Sequence, residues 1–592
     1  MQIQIKKEDV SKATENAIFF RQHVIKAKIY ETSLTTHGGK KCNFVNTKRP
    51  HMTRSLRICI IFISCLTAMA APAGAKVTMP SIFTDGMVVQ RNEPIQIWGW
   101  ADSNEKVKVI WHGKNYTTTA SAEGRWSIEL PAAREGGPYT LTVNDVSIED
   151  ILIGDVFLCS GQSNMELPVR RVTDMFAAEI DTYQNKSIRH FIVPKTFNFN
   201  APQEDMPKTS WKTCTRGNVM EWSALAYFFA KAMYEETGVP VGIVNASWGG
   251  TPVEAWMSEE VLSASYPEYI SEKRLYEDEG YRNRIKALEG EDFYRWNTTM
   301  DSADPGLKEC WYSAEYDDSY WQEVEMFSTG WGNDGLNPVG GSHWLRKSIE
   351  IPKKYAGKEA VIRMGCIVDA DSVYVNGHFV GNTTYQYPPR IYRIPANVLK
   401  AGVNNVTVRV ISNGGQPHFV PEKPYKIICE VREFSLEGKW KYRLGSPMPD
   451  APSMMFFCYK PVCLYNAMIA PLKGLKFSGV VWYQGESNVD RRNEYADLLG
   501  LMMKDWRRTF EAPGLPFYIV ELADFLHKDD IKGRQAWAEM RQEQAKAAAD
   551  DPDAVLIRNS DLGEWNDIHP LDKKTLGKRV VKAVIKDMKK NN

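Results

Sequence analysis

The chain has no excess of basic residues. Of its 592 residues, 73 are Lys or Arg and 73 are Asp or Glu. The first 75 hold 12 basic and 4 acidic residues, which leaves 61 against 69 in the rest, a net of −8. A mildly acidic body offers no electrostatic footprint for nucleic acid, and that class is set aside. There is no low-complexity tract and no short repeat, which excludes solenoids and disordered scaffolds. The ten His include no H-E-x-x-H and the ten Cys show no paired metal spacing, so neither a zinc site nor any other cofactor is expected.

Long apolar runs are also scarce. The run at 58–69 is short and rich in small residues, too weak for a membrane span. With Arg54 and Arg57 before it and an Ala-x-Ala ending at Ala75 after it, it reads as a secretory signal peptide at 52–75. Translation is then expected to start at Met52, with 1–51 a mis-annotated extension and the mature protein secreted or periplasmic. Seven Cys remain after export, read mostly as small buried hydrophobes with at most one or two disulfides.

A chain of this length is too long for one core and divides into several domains. Residues 76–150 show short alternating segments separated by turns, the pattern of an N-terminal β-sandwich. From 151 to 301, and again from 433 to 592, apolar strands alternate with helices, the pattern of an α/β parallel sheet. A helix capped by Ser223 is stopped by Gly238, a strand follows from Val241, and further helices are expected at about 493–510 and 536–549. Between them, 302–432 returns to β patterning, with an Asn376-Gly377 hairpin signal. Its phrases W-x-R-K-x-x-x-I-P from Trp344 and D-S-V-Y-V-N-G from Asp371 resemble the jelly-roll sugar-binding domain of glycoside hydrolases. Within it, Trp311, Trp321 and Trp331 are either sugar-stacking or core residues, with core the expectation.

Chemistry-bearing residues collect where strands end. The apolar run 156–159 leads into S-G-Q-S-N-M at 160–165, a serine at the C-terminal end of a buried strand. N-A-S-W-G-G-T-P-V-E-A-W at 245–256 ends a second strand in two glycines that can present backbone N–H groups. W-Y-Q-G-E-S-N at 482–488 ends a third, and N-D-I-H-P at 566–570 supplies a late His. Ester cleavage needs these parts: a nucleophile, a base that takes its proton, and donors for the developing oxyanion.

Taken in order, the four phrases resemble the SGNH (GDSL-type) hydrolases, and specifically the sialate O-acetylesterase family of carbohydrate esterases. The resemblance spans about 80–585 and implies a three-layer α/β/α hydrolase fold interrupted by the jelly-roll block. It implies Ser163 as nucleophile, His569 as base, and an oxyanion hole from the backbone N–H groups of Ser163 and Gly250 and the side-chain amide of Gln484. Gly250 is preferred to Gly249 because it stands five residues after Asn245. The usual Asp three residues before the His is Asn566 here, which leaves Asp567 to orient His569. The rivals are a Ser–His dyad and Glu486 as the acid. The expected substrate is an acetylated glycan or sialic acid; acetylated xylan and a non-catalytic glycan-binding role are the alternatives. An ordinary imidazole places the acid limb of activity near pH ~6.5, and Asp567 would raise it. Because all four phrases lie outside 302–432, loss of that block is expected to spare small esters more than polymeric or glycosidic ones.

Overall fold

The computed structural model describes residues 77–328, 331 and 340–591. The predicted extension at 1–51 and signal peptide at 52–75 lie outside the described residues.

The parallel sheet is built from seven strands: β1 (Val146–Gly161), β2 (Asn185–Ile192), β3 (Lys212–Cys214), β4 (Val241–Ser247), β5 (Gly479–Tyr483), β6 (Phe517–Val520) and β7 (Ala554–Ile557). Their order is β7-β6-β5-β1-β4-β2-β3, parallel throughout except for the antiparallel edge strand β3. Every residue of β4, β5 and β6 is buried, as expected for parallel strands covered on both faces. The principal helices are α1 (Ala224–Thr237), α2 (Glu279–Ala303), α3 (Tyr495–Thr509), α4 (Ile531–Ala549) and α5 (Lys573–Asn591). Helix α1 starts where the Ser223 hydroxyl accepts the Ala226 N–H and stops at Gly238 with φ +69°. Helix α3 buries Leu498, Leu499, Met502, Met503 and Trp506, the apolar face legible in the sequence. Helix α4 begins five residues before its expected start, because the Asp530 side chain caps Gly533. Helix α2 was not legible: over 25 residues it buries only Trp296 and Met300, so it has no apolar stripe.

The long β1 ties the N-terminal strands to this sheet. Its first half pairs with Gly136–Val143 and Val88–Gln90, and its second half with β4 and β5, so it runs straight across the 150/151 boundary read from the sequence. The apolar residues of both regions form one continuous core. The inserted block has its own core between a six-stranded and a four-stranded antiparallel sheet. The six-stranded sheet takes in Lys439–Met448, beyond position 432, since that strand pairs with Gly340–Ile351 and Gln322–Glu325. Trp311, Trp321 and Trp331 are all buried and make core contacts. The seven cysteines among the described residues are all free, six of them buried.

Candidate active site

Ser163 follows the C-terminal end of β1, at the start of the one-turn helix Ser163–Glu166. Three strand ends are stitched together here: Gln162 N–H donates to Tyr483 O of β5 (3.0 Å), and Trp248 N–H, just past β4, donates to Gly161 O (3.1 Å). Gly161 adopts φ +134°, and a Cβ there would fall 2.1 Å from Tyr483 O, so no other residue fits this turn. Gln162 turns inward, where its Oε1 accepts from Gln484 Nε2 (3.2 Å) and Ser487 N–H (3.2 Å). Ser163 itself is half-buried.

Gly249 lies against the serine, and Gly250 follows it in the chain. A Cβ on Gly249 would lie 3.3 Å from the Ser163 Cβ and 3.4 Å from Glu166 Oε2. The Gly249 N–H is already taken, donating to Glu166 Oε2 (2.6 Å). Gly250 sits at φ +78°, and among the described residues neither its N–H nor that of Ser163 has a protein acceptor. Gln484 is fully buried, with its Nε2 near Gln162 Oε1 (3.2 Å), Thr251 O (3.2 Å) and Asn488 Oδ1 (2.7 Å). Its Oε1 accepts from Tyr495 (2.9 Å). Donation from Gln484 to a substrate oxygen therefore requires exchange of one of these partners.

His569 is buried, on the loop preceding α5. Among the described residues no direct hydrogen bond joins its ring to the Ser163 hydroxyl. The two segments meet through Asn164, whose Nδ2 donates to Ile568 O (2.9 Å) and Glu486 Oε1 (2.6 Å) while its Oδ1 accepts from Lys573 Nζ (2.7 Å). Asn164 thus clasps the residue after the serine to the residue before the histidine. Sequence reasoning passed over Asn164 and Lys573; S-N-M in the first phrase was the only signal for the former.

Asp567 lies beside His569 without bonding the ring. Its Oδ1 accepts the His569 backbone N–H (2.9 Å) and stands 3.8 Å from Nδ1, which has no hydrogen-bond partner among the described residues. Its Oδ2 faces Lys423 Nζ at 3.3 Å, and the same amine meets Glu564 Oε2 at 2.8 Å. Glu486, the rival acid, contacts Asn164 and has an Oε2 without a partner. Burial pushes its carboxyl above the usual range. Burial, followed by the charges of Arg171 and Lys573, holds the His569 imidazole well below its ordinary value. This reverses the upward shift expected from the sequence, because Asp567 is engaged elsewhere and desolvation dominates. Burial also lowers the Lys573 amine to about 7.

The inserted block reaches into this site. Tyr387 sets its ring edge-on to His569 with centroids 5.0 Å apart, and Lys423 meets Asp567. Pro421 O accepts Asn566 Nδ2 (2.7 Å), and Glu422 accepts Trp565 Nε1 (3.0 Å). The expectation that its loss would spare small esters rested on linear order alone and is withdrawn: the block buttresses the histidine loop.

Comparison with known proteins agrees with this architecture. Residues 153–288 and 457–586 match the family model described as carbohydrate esterase, sialic acid-specific acetylesterase. The sialate O-acetylesterase of Rattus norvegicus is 31% identical over 222 residues, covering 33% of this chain and 40% of that protein. That of Mus musculus is 30% identical over 227 residues, 34% of this chain and 42% of that protein. The chain therefore spans about two fifths of the length of these relatives. The crystal structure of a carbohydrate acetylesterase from Xanthomonas citri aligns with a TM-score of 0.51 at 24% identity, over 86% of this chain and 74% of that one, a likeness of fold. The matches on both sides of the inserted block carry the pattern of a carbohydrate esterase. Over those residues it is similar to the sialate O-acetylesterases.

Proposed function

We propose that this protein hydrolyses O-acetyl esters of sugars, with acetylated sialic acids as substrates, through Ser163 as nucleophile and His569 as base. The observation that carries the reading is the Asn164 clasp, which holds the serine turn and the histidine loop to one another at the C-terminal edge of a parallel sheet. His569, kept neutral by burial, takes the Ser163 proton as Oγ attacks the acetyl carbonyl. The carbonyl oxygen becomes an oxyanion facing the unengaged N–H groups of Ser163 and Gly250, with Gln484 as third donor after partner exchange. The histidine then returns the proton to the leaving sugar hydroxyl, and water releases acetate from the acyl-enzyme in a second round.

Asp567 stabilises the imidazolium that forms, from its position 3.8 Å from Nδ1. The N-terminal strands are read as a β-sandwich and the inserted block as a jelly roll, on the support of its two antiparallel sheets around one core. Export through the 52–75 segment belongs to the same reading, supported by its basic, apolar and Ala-x-Ala pattern. Hydrolysis of p-nitrophenyl acetate tests the chemistry: wild type should turn it over and Ser163→Ala should not. Equal rates from a folded Ser163→Ala protein would overturn the assignment.

A further inference from the structure

We propose that Arg171 recognises a carboxylate on the substrate, so that the protein selects acetylated sugars that carry an acid group over neutral ones. The proposal rests on the esterase reading above and adds a specificity-determining residue to it.

The placement comes from the chain. Arg171 ends the 3₁₀ turn Val169–Arg171, a few residues after the Ser163 helix, and the turn is anchored by Val169 N–H to Trp222 O (2.9 Å) and Arg170 N–H to Met220 O (3.1 Å). Its Nη2 donates to Tyr387 O (3.1 Å), and the ring of Tyr387 is the one that lies edge-on to His569. One residue of the inserted block therefore touches both the guanidinium and the base. The field of Arg171 also reaches His569, where it is the largest contribution after burial to the lowered proton affinity.

What sets Arg171 apart is its lack of a counter-ion. Most cations of the neighbouring segments are matched, Arg170 with Glu221, Lys195 with Glu166, Arg363 with Asp174, Lys423 with Glu564 and Lys574 with Glu179, while the Lys573 amine is held by Asn164 Oδ1. Among the described residues Arg171 forms no ion pair, and its buried Nε has no acceptor. A guanidinium that is partly desolvated and unpaired carries a penalty that a bound anion removes. Its planar fork fits a carboxylate with two parallel N–H···O bonds, which no neutral sugar hydroxyl reproduces.

The test uses one O-acetylated N-acetylneuraminic acid and the same sugar with its carboxylate converted to a carboxamide. Wild type should prefer the acid by roughly ten- to a hundred-fold in kcat/KM, mostly through KM. Arg171→Met should abolish that preference, and Arg171→Lys should retain part of it, since a point charge remains without the fork. A merely structural tether to Tyr387 would lower both substrates alike. In a Ser163→Ala background, calorimetric binding of N-acetylneuraminic acid should weaken at least about ten-fold on Arg171→Met, a readout that does not depend on turnover. Absence of hydrolysis by wild type with Arg171-dependent binding intact would count against the esterase reading and for the carboxylate site. Equal wild-type rates on acid and carboxamide, or a preference that survives Arg171→Met, would overturn the proposal.

Discussion

Asn164→Ala removes the clasp between serine turn and histidine loop, and its cost follows from three contacts. The side chain bonds Glu486 Oε1 at 2.6 Å, Ile568 O at 2.9 Å and Lys573 Nζ at 2.7 Å, with Asn164 and Lys573 buried and Glu486 partly so. A bond to an ionisable partner contributes about 1.5–3 kcal/mol and a neutral one about 1 kcal/mol, so the gross loss is roughly 4–7 kcal/mol. The three share one side chain and the cavity relaxes, so a net destabilisation of about 3–5 kcal/mol is expected. The catalytic domain should unfold roughly 5–15 °C lower in a thermal melt. Release of the Ile568 carbonyl lets the histidine loop move relative to Ser163, and a misplacement of about 1 Å lowers rates roughly 100-fold. Asn164→Asp is the informative partner. It keeps an acceptor for Lys573 but sets an oxygen against Glu486, so its defect should ease as the pH falls and a carboxyl takes up a proton. Melting and p-nitrophenyl acetate hydrolysis measured on the same samples decide the matter. If Asn164→Ala stays within about 1 kcal/mol of wild type and keeps kcat/KM within about threefold, Asn164 does not join the two segments.

Four further outcomes follow from the same geometry. His569 works as the neutral imidazole and its folded-state proton affinity is depressed, so kcat/KM should stay level as pH falls through ~6.5 and decline only well below it; an acid limb at or above 6.5 would contradict the burial argument. For the same reason its contribution to stability is whole above the unfolded value of ~6.5 and is lost as pH falls towards the folded one, by at most about 1.4 kcal/mol per pH unit, measurable by denaturant unfolding at several pH values. Gln484→Ala should lower kcat with little change in KM if the amide turns to the oxyanion, by roughly 10²–10³-fold, whereas a parallel loss of melting temperature without a kcat effect would mean that it only braces Gln162 and Thr251. Lys423→Met leaves the Asp567 carboxylate uncompensated beside the histidine, so the acid limb should move up and stability should fall by about 1–3 kcal/mol; an unmoved pH profile would mean that Asp567 does not act on the imidazole.

Five of the seven strands of the sheet were legible from their apolar runs, β2 and β3 not; the helices at 224–237 and 495–509 were legible from their apolar faces, the first also from its Ser223 cap and Gly238 stop. Three of the phrases were legible as chemistry because each follows a buried strand, so linear order already located them at one edge of the sheet; the fourth, at 566–570, follows the half-buried β7 after a turn and was legible from its His. Helix α2 was not, since a helix with two buried residues in 25 has no stripe to detect. The joining of the inserted block to the site was also hidden. Tyr387 and Lys423 lie about 145–180 residues from His569 and Asp567 in sequence, and nothing local marks a tyrosine or lysine that will meet a histidine loop. The downward shift of His569 was misjudged because Asp567, two residues away, suggested a charge partner. Burial depth and the competing Lys423 amine exist only in three dimensions.

The central claim is that Ser163 cleaves acetyl esters on sugars. Its most direct measurement is acetate released from O-acetylated N-acetylneuraminic acid, acetylated xylan and acetylated pectin by wild type and by Ser163→Ala, with folding of the variant checked by its melting temperature. The account predicts release by wild type, greatest on the sialic acid, and none above background by the variant. Absence of release from every substrate by folded wild type, or equal release by Ser163→Ala, would contradict it.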